Sequence, residues 1–519
     1  MAYIAISFSV LFPLILLILF RLSFRPRARP AGFPPGPPTI PVLGNIHQIP
    51  LTKPFLQFAE WNRTYGSYGL VGLYLGPSAK VVVLNSWKAV CDLLDKRGAV
   101  YSSRPYVPVV QYVVPPPGDI HVAFTPYGPK WRKARKTVTD FLKDSEVDKL
   151  LLIQDAESSQ LMFEILRNPA VYHDSIYRYF GAVITAAVFG VRGKEYSDAG
   201  KIKRFFEVQG EWAQLLKQGA MPPIDVFPFL RYIPDRQSGL YNELFMEASE
   251  RIYRGRSQDC FFTKLLRNRE KDGYTDVELA YIGGFLMEAG SDTTAGAFET
   301  FILAMAAYPE LQRDAQKEVD SVYSDQMPAT QASFGRLPFL KACFLETLRW
   351  RPGLNMSIPH ATTQDDVYEG FSNPAGTTVL MNTWAIHHDP DEYEDLDKFD
   401  PSRFLKSPLG IKYTPGKYST DVDSTMRRPS YGFGAGRRVC AGQRMAENSM
   451  LMTMAKLLWS FDTMAVSGLA QLDTSVHAFK DALLTSPKPF SVNFIIRDEH
   501  RQRAIEQSWA GADAFFEEI

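Results

Sequence analysis

Cysteine is scarce: the 519 residues hold four, Cys91, Cys260, Cys343 and Cys440, and no two stand at the spacing of a metal finger. A disulfide scaffold and a structural zinc site are therefore poor organising principles for this chain, and cytosolic exposure of the folded part fits better. Charge of one sign is lacking too. The 57 basic and 57 acidic side chains leave a formal net charge of zero, so no global field draws in a polyanion and nucleic acid is not an expected partner. No internal repeat or low-complexity run follows Asn45. What the chain has is 45% hydrophobic and 13% aromatic residues, enough to bury a large core and to exclude disorder.

The first segment is set apart by charge. From Tyr3 to Phe20 the sequence YIAISFSVLFPLILLILF carries none, and as a helix it rises about 27 Å against a hydrocarbon core of about 30 Å. Arg21, Arg25, Arg27 and Arg29 follow, which places that flank in the cytoplasm and the N-terminus in the lumen. Pro13 is tolerated in such a helix. A cleaved signal peptide is the rival reading, but its basic cluster would precede the apolar stretch rather than follow it. Residues 1–20 are thus read as a transmembrane anchor and 21–45 as a basic, Pro-rich linker. Its prolines Pro34, Pro35, Pro37 and Pro38 favour extended polyproline geometry, either as a passive spacer or as an orienting arm.

Residues 46–519 read as one large, mainly α domain with small β-sheets. The stretches LVGLYLG, AKVVVLN and PFSVNFII have strand character, and long helical patterns fill the middle. The clearest helix opens on a capping box, Thr275 with Glu278, and runs to about Tyr308, where Pro309 stops it and suits the first turn of the next. More than thirty mostly apolar residues imply burial through the centre of the protein.

The most specific element is YGFGAGRRVCAGQRMAENSMLMTMAKLL, in which Cys440 follows a glycine-rich turn and precedes an amphipathic helix. Unpaired backbone amides and the positive end of the helix dipole favour thiolate there, and a thiolate is an axial haem ligand. Gly436 and Gly442 permit a tight turn and close approach to a flat cofactor, and Arg438 stands ready for a propionate. A lone cysteine before a helix is otherwise a small buried hydrophobe. The pattern Phe433, Gly436, Arg438, Cys440, Gly442 sets this one apart.

These five positions resemble the haem-binding signature of the cytochrome P-450 family of haem-thiolate enzymes. The resemblance extends along nearly the whole chain. Glu346 and Arg349 in FLETLRWRP match the family's ExxR pair, and Arg403 in FDPSRF matches the third member of that structural triad. Without the resemblance the pair would read as a surface helix pair. AGSDTT resembles the oxygen-activation segment, which implies proton relay by Asp292 and Thr293, with Ala289 and Gly290 leaving space beside them. The alternative for Thr293 is a bond back to a helix carbonyl that merely bends the helix. GPKWRKARK matches WxxxR, so the resemblance implies propionate contact by Arg135, joined by Trp131. The cations Lys130, Arg132, Lys133, Arg135 and Lys136 are either a solvated face or, as in related proteins, a border of the surface that receives a reductase. His360 matches a position that often reaches a propionate, with a structural hydrogen bond as its alternative.

The resemblance implies the cytochrome P-450 fold, haem b with an axial thiolate, and an NADPH-cytochrome P-450 reductase as partner, since no flavin or nicotinamide motif is evident in the chain. The reaction expected is insertion of one oxygen atom from O2 into a lipophilic small molecule, in the endoplasmic reticulum membrane with the catalytic domain on the cytoplasmic side. Competing classes are a haem-thiolate isomerase or dehydratase, against which Asp292 and Thr293 weigh, and a haem sensor or electron carrier. Substrate contacts are expected from Tyr106 to Phe124, Phe205 to Phe229, Leu354 to Ile358 and Ala482 to Ser486. The motifs look similar to fungal microsomal enzymes of secondary metabolism, with xenobiotic detoxification as the alternative setting. The polar stretch from Lys406 to Pro429 is expected to be a surface excursion, and the tail from Asp498 onward has no assigned role.

Overall fold

The computed structural model describes residues 32–518 apart from 41–42, 77–78, 108–109, 111–113, 116–117, 198–199, 217–235, 255–259, 329–330, 413–425 and 467–471. The anchor, most of the linker and part of the expected substrate-contact stretches therefore lie outside the described residues. Among the described residues no helix is long and apolar enough to cross a membrane. The domain expected over 46–519 divides into two compact units, residues 1–105 with 356–386 and residues 106–355 with 387–519.

In the first unit, helix α1 (Pro54–Thr64) packs on a four-stranded sheet. Its strands β1 (Leu70–Leu75), β2 (Ala79–Leu84), β3 (His360–Ala361) and β6 (Thr378–Met381) run in the order β1-β2-β6-β3. The hairpin β4 (Asp366–Tyr368) and β5 (Phe371–Asn373) forms a separate two-stranded sheet. LVGLYL and AKVVVL are both strands, paired antiparallel with Leu73 opposite Val81. Val71, Leu73, Val81 and Val83 then share one face with Phe58, Trp61 and Leu380 in a small core, as the period-2 alternation of a strand requires.

The second unit holds the long helices: α2 (Pro129–Phe141), α3 (Leu151–Arg167), α4 (Tyr172–Phe189), α5 (Lys201–Leu215), α6 (Arg236–Tyr253), α7 (Asp276–Ala307), α8 (Pro309–Tyr323), α9 (Pro338–Trp350), α10 (Gln443–Ser460) and α11 (Glu499–Glu518). The expected long helix is α7, with Thr275 as N-cap and the reciprocal Thr275–Glu278 capping box present. Pro309 opens α8 in its first turn. At 32 residues α7 is about 48 Å long, and its apolar length is buried against α4. Gly283 and Gly284 let aromatic rings close on it, since a Cβ at either would lie 2.5 Å or less from Phe262 or Tyr241.

The triad read from ExxR is fully assembled. Arg349 donates to Glu346 through Nε at 2.7 Å and Nη2 at 2.8 Å, and Arg403 Nε reaches the same carboxylate at 3.2 Å. Glu346 and Arg349 are completely buried, so the pair is no surface ornament. Arg349 also donates to the carbonyls of His387, Leu396 and Lys398, tying α9 to the irregular chain beyond it. The tail from Asp498 forms α11, which packs along α3 with Trp509 stacked on Phe163 and Ile505 buried. The stretch expected as a surface excursion ends inside the protein: Arg427 is buried and pairs with Glu392 at 3.0 Å.

Candidate active site

The cysteine loop is built by glycine. Gly434 and Gly436 take φ of 79° and 62°, a region that costs an L-residue roughly 1–2 kcal/mol, and the turn they form lets Cys440 N–H donate to Phe433 O at 2.8 Å. Gly442 differs from the expectation. Its φ is −93°, and a Cβ there would meet its neighbours at ordinary distances of 3.8–3.9 Å, so the turn does not demand glycine at this position. Gly442 is the N-cap of α10, and its backbone hydrogen bond to the Cys440 sulfur favours the thiolate, as does the charge of Arg135. Burial outweighs both and pushes the thiol up, contrary to the expected dominance of the helix terminus. Coordination to a haem iron would reverse that balance for Cys440, because a coordinating thiol is deprotonated outright.

Arg135 and Trp131 lie on one face of α2, as their i,i+4 spacing requires. Arg135 Nη2 donates to Val439 O at 2.5 Å, and among the described residues it has no carboxylate partner. Burial lowers its pKa while Cys440 raises it. Arg438 lies 4.0 Å over the Trp131 ring and donates to Val122 O at 3.3 Å and Thr125 O at 2.7 Å. Phe433 packs against the main core. His360 belongs to the other unit, where it is buried on β3 with Nδ1 2.8 Å from Tyr101 O. Arg104, which sequence reasoning passed over, braces the same unit by donating to Ile358 O and Pro359 O.

Within the buried run of α7, the side chains that stay partly open are Phe285, Ala289, Gly290, Asp292, Thr293 and Ala297. They share one side of the helix, as 100° per residue dictates. Thr293 Oγ1 donates to Ala289 O at 2.7 Å, the local bond held open as its alternative, and the hydroxyl keeps its lone pairs for an incoming donor. Gly290, though partly open, also serves packing: a Cβ would stand 2.6 Å from Ile184 of α4, and Ala289 is the more exposed of the two small residues. Burial holds Asp292 above the usual carboxylate range, at about 6, with Lys480 pulling it down and Glu299 pushing it up.

Sequence reasoning missed a second polar group on α7. His121 Nε2 lies 3.0 Å from Glu288 Oε2, Tyr241 donates its hydroxyl to the other oxygen, and all three side chains are buried. Rings of Phe124, Trp212, Tyr281 and Phe285 surround His121. An acid in the apolar run LMEAGSDTT was a readable signal, but its partners were not. The contact stretches converge here in part. Phe124 meets Trp212 at 5.9 Å between ring centroids, Asn355 donates to Thr485 at 2.9 Å, and Ser486 lies against Gly296 of α7.

A thiol held by protein on most sides yet still accessible, beside a desolvated arginine with no carboxylate partner among the described residues, is a donor set that fits an anionic haem held by a thiolate. Fold and site together define a haem-thiolate protein. A family model for cytochrome P450 matches residues 34–494. A cytochrome P450 monooxygenase of Aspergillus ruber, fogE, is 33% identical over 490 residues, covering 91% of this chain and 88% of its own. One from Armillaria gallica is 35% identical, covering 92% of each. A solved zebra fish cytochrome P450 with progesterone superposes with a TM-score of 0.70 at 24% identity, over 86% of this chain and 99% of its own, a likeness of fold. The chain belongs to the cytochrome P450 family and is a haem-thiolate monooxygenase.

Proposed function

We propose that the protein inserts one oxygen atom of O2 into a lipophilic small molecule of secondary metabolism, drawing electrons from NADPH through a reductase at the endoplasmic reticulum membrane. Cys440 would hold the haem iron through its thiolate. Trp131, Arg135 and Arg438 would hold the propionates, and Phe433, Gly436 and Gly442 would shape the loop against the ring; for His360, the bond to Tyr101 O favours its structural alternative. When bound, haem supplies the oxygen and one-electron chemistry that no side chain of the protein provides.

The observation that carries this reading is the placement of Asp292 and Thr293 on the open side of an otherwise buried helix. A carboxyl titrating near 6 is matched to passing protons near neutral pH. Its work is to take a proton from the protein side and release it on the open side. Thr293, anchored to Ala289 O, presents its oxygen as an acceptor and holds a water in line. Aromatic and aliphatic residues dominate the described contact stretches, which suits an apolar substrate.

Residues 1–20 are the single-pass anchor in this reading, supported by their apolar length and the arginines behind them. The cation run on α2 serves the reductase, although much of it is locally engaged. Lys130 pairs with Asp119 and Lys136 with Asp140, Lys133 lies 3.7 Å over the Tyr274 ring and Arg132 5.8 Å from the Tyr127 ring, while Arg132, Lys133 and Lys136 remain exposed.

The deciding test is NADPH-dependent oxygen consumption by the full chain with its reductase, after a screen of lipophilic compounds for type I spectral shifts. Oxygen uptake coupled to an oxygenated product is expected. Conversion of a peroxide substrate without NADPH or O2 would replace this reading with the isomerase or dehydratase class.

A further inference from the structure

We propose that a row of side chains between α4 and α7, His173, Glu299, Tyr177 and Asp292, carries protons from solvent to the active site. The inference rests on the relay role proposed for Asp292 and extends it to the surface. The two helices pack closely, and their contacts fix the register: Ile184 fills the space at Gly290, Phe180 meets Phe298 at 6.1 Å, and His173 Nδ1 contacts Glu299 Oε1. As α4 is followed backward toward its N-terminus, α7 is followed forward, so the two helices run antiparallel through this stretch.

Glu299 is the buried acid of the row. Its side chain is completely buried, and among the described residues its ionisable partner is His173, whose Nδ1 contacts Oε1. A carboxylate has no packing value in such a place, and buried ionisable groups that persist either pair or serve function. It stands seven residues, or about 10.5 Å of helix, from Asp292 on nearly the same side of α7. Gly296 lies between them, and without a side chain there Ser486 approaches to 2.9 Å of where a Cβ would stand.

Tyr177 fills the gap. It sits one turn from His173 on α4, their rings 5.6 Å apart. Burial holds its pKa far above the ordinary phenol value, and the charges of Glu299 and Asp292 push in the same direction. A hydroxyl kept neutral both accepts and donates, so it passes a proton without becoming an ion. His173 is 31% exposed and forms the entry. One proton enters at His173, moves to the Glu299 carboxylate, and reaches Asp292 through the Tyr177 hydroxyl and ordered water. Each hop moves a proton and no electron, and the phenol regains the proton it gives.

The test compares Glu299→Gln, Glu299→Asp, His173→Phe and Asp292→Asn as haem-loaded full chains with reductase. Glu299→Gln is expected to slow oxygen consumption on the order of tenfold, below the 10²–10⁴ of a direct acid-base group, and to enlarge the solvent deuterium isotope effect. Haem content and the substrate-induced spectral shift should stay as in the parent. Glu299→Asp should restore most of the rate, and His173→Phe should resemble Glu299→Gln. A readout independent of turnover is the Asp292 carboxyl stretch in difference infrared spectra, assigned by its loss in Asp292→Asn. Removing the Glu299 charge should shift its titration to lower pH. Slow turnover in Asp292→Asn with parental rate and isotope effect in Glu299→Gln would overturn the row and leave the relay standing. Parental behaviour in Asp292→Asn would instead overturn the relay on which the row depends.

Discussion

Replacing Asp292 with asparagine should stabilise the protein at neutral pH, because the structure holds this carboxyl where its charge is unwelcome. Burial lifts its titration to about 6, whereas the unfolded chain ionises near the ordinary aspartate value of about 4. At 1.36 kcal/mol per pH unit the folded protein holds that proton about 3 kcal/mol more tightly. The side chain is partly open to the cleft, so solvent reduces the figure, and a gain between about 1 and 3 kcal/mol is expected. The sign follows from proton counting. Between pH 4 and 6 the folded state keeps a proton that the unfolded state has lost, so stability contributed by Asp292 is complete below about pH 4 and falls as pH rises through about 6. Asparagine does not titrate, so its advantage should be absent at pH 4, grow to pH 6 and then level off. The assay is urea denaturation of parent and Asp292→Asn at matched haem loading from pH 4 to 8. A stability difference that is flat across that range would refute the argument that burial raises this group.

Three further outcomes are expected. Glu346→Ala should lower stability by about 3–5 kcal/mol, because it strands Arg349 and Arg403 as buried cations; urea midpoint and haem retention measure it, and an unchanged midpoint would deny the triad its structural role. Cys440→Ser should abolish the red-shifted Soret band of the reduced carbon monoxide complex, and persistence of the band would remove Cys440 as the ligand. Deleting residues 2–20 should release much of the protein from membranes while haem binding survives. Met221 to Leu230, in MPPIDVFPFL, is apolar enough to keep a weaker hold on the interface, and loss of haem on deletion would make the anchor part of the fold.

Local rules were enough for everything set by spacing along one element. The capping box and Pro309 bound α7 because caps and prolines act within a turn, and alternation gave β1 and β2 because side-chain direction has period two. The cysteine loop was legible for the same reason: Gly434 and Gly436 occupy a backbone region that favours glycine, within seven residues of the thiol they position. Contacts between distant segments were not legible. That Glu346 and Arg349 are fully buried, that Gly290 is small because Ile184 leans on it, and that Glu288 meets His121 and Tyr241 all depend on segments far apart in the chain. The titration of Asp292 belongs to the same class. Its acid in an apolar run marked a site, but whether that acid is neutral or charged near pH 7 depends on desolvation by the surrounding protein and on Lys480 and Glu299, a sum over space that periodicity along one helix does not contain.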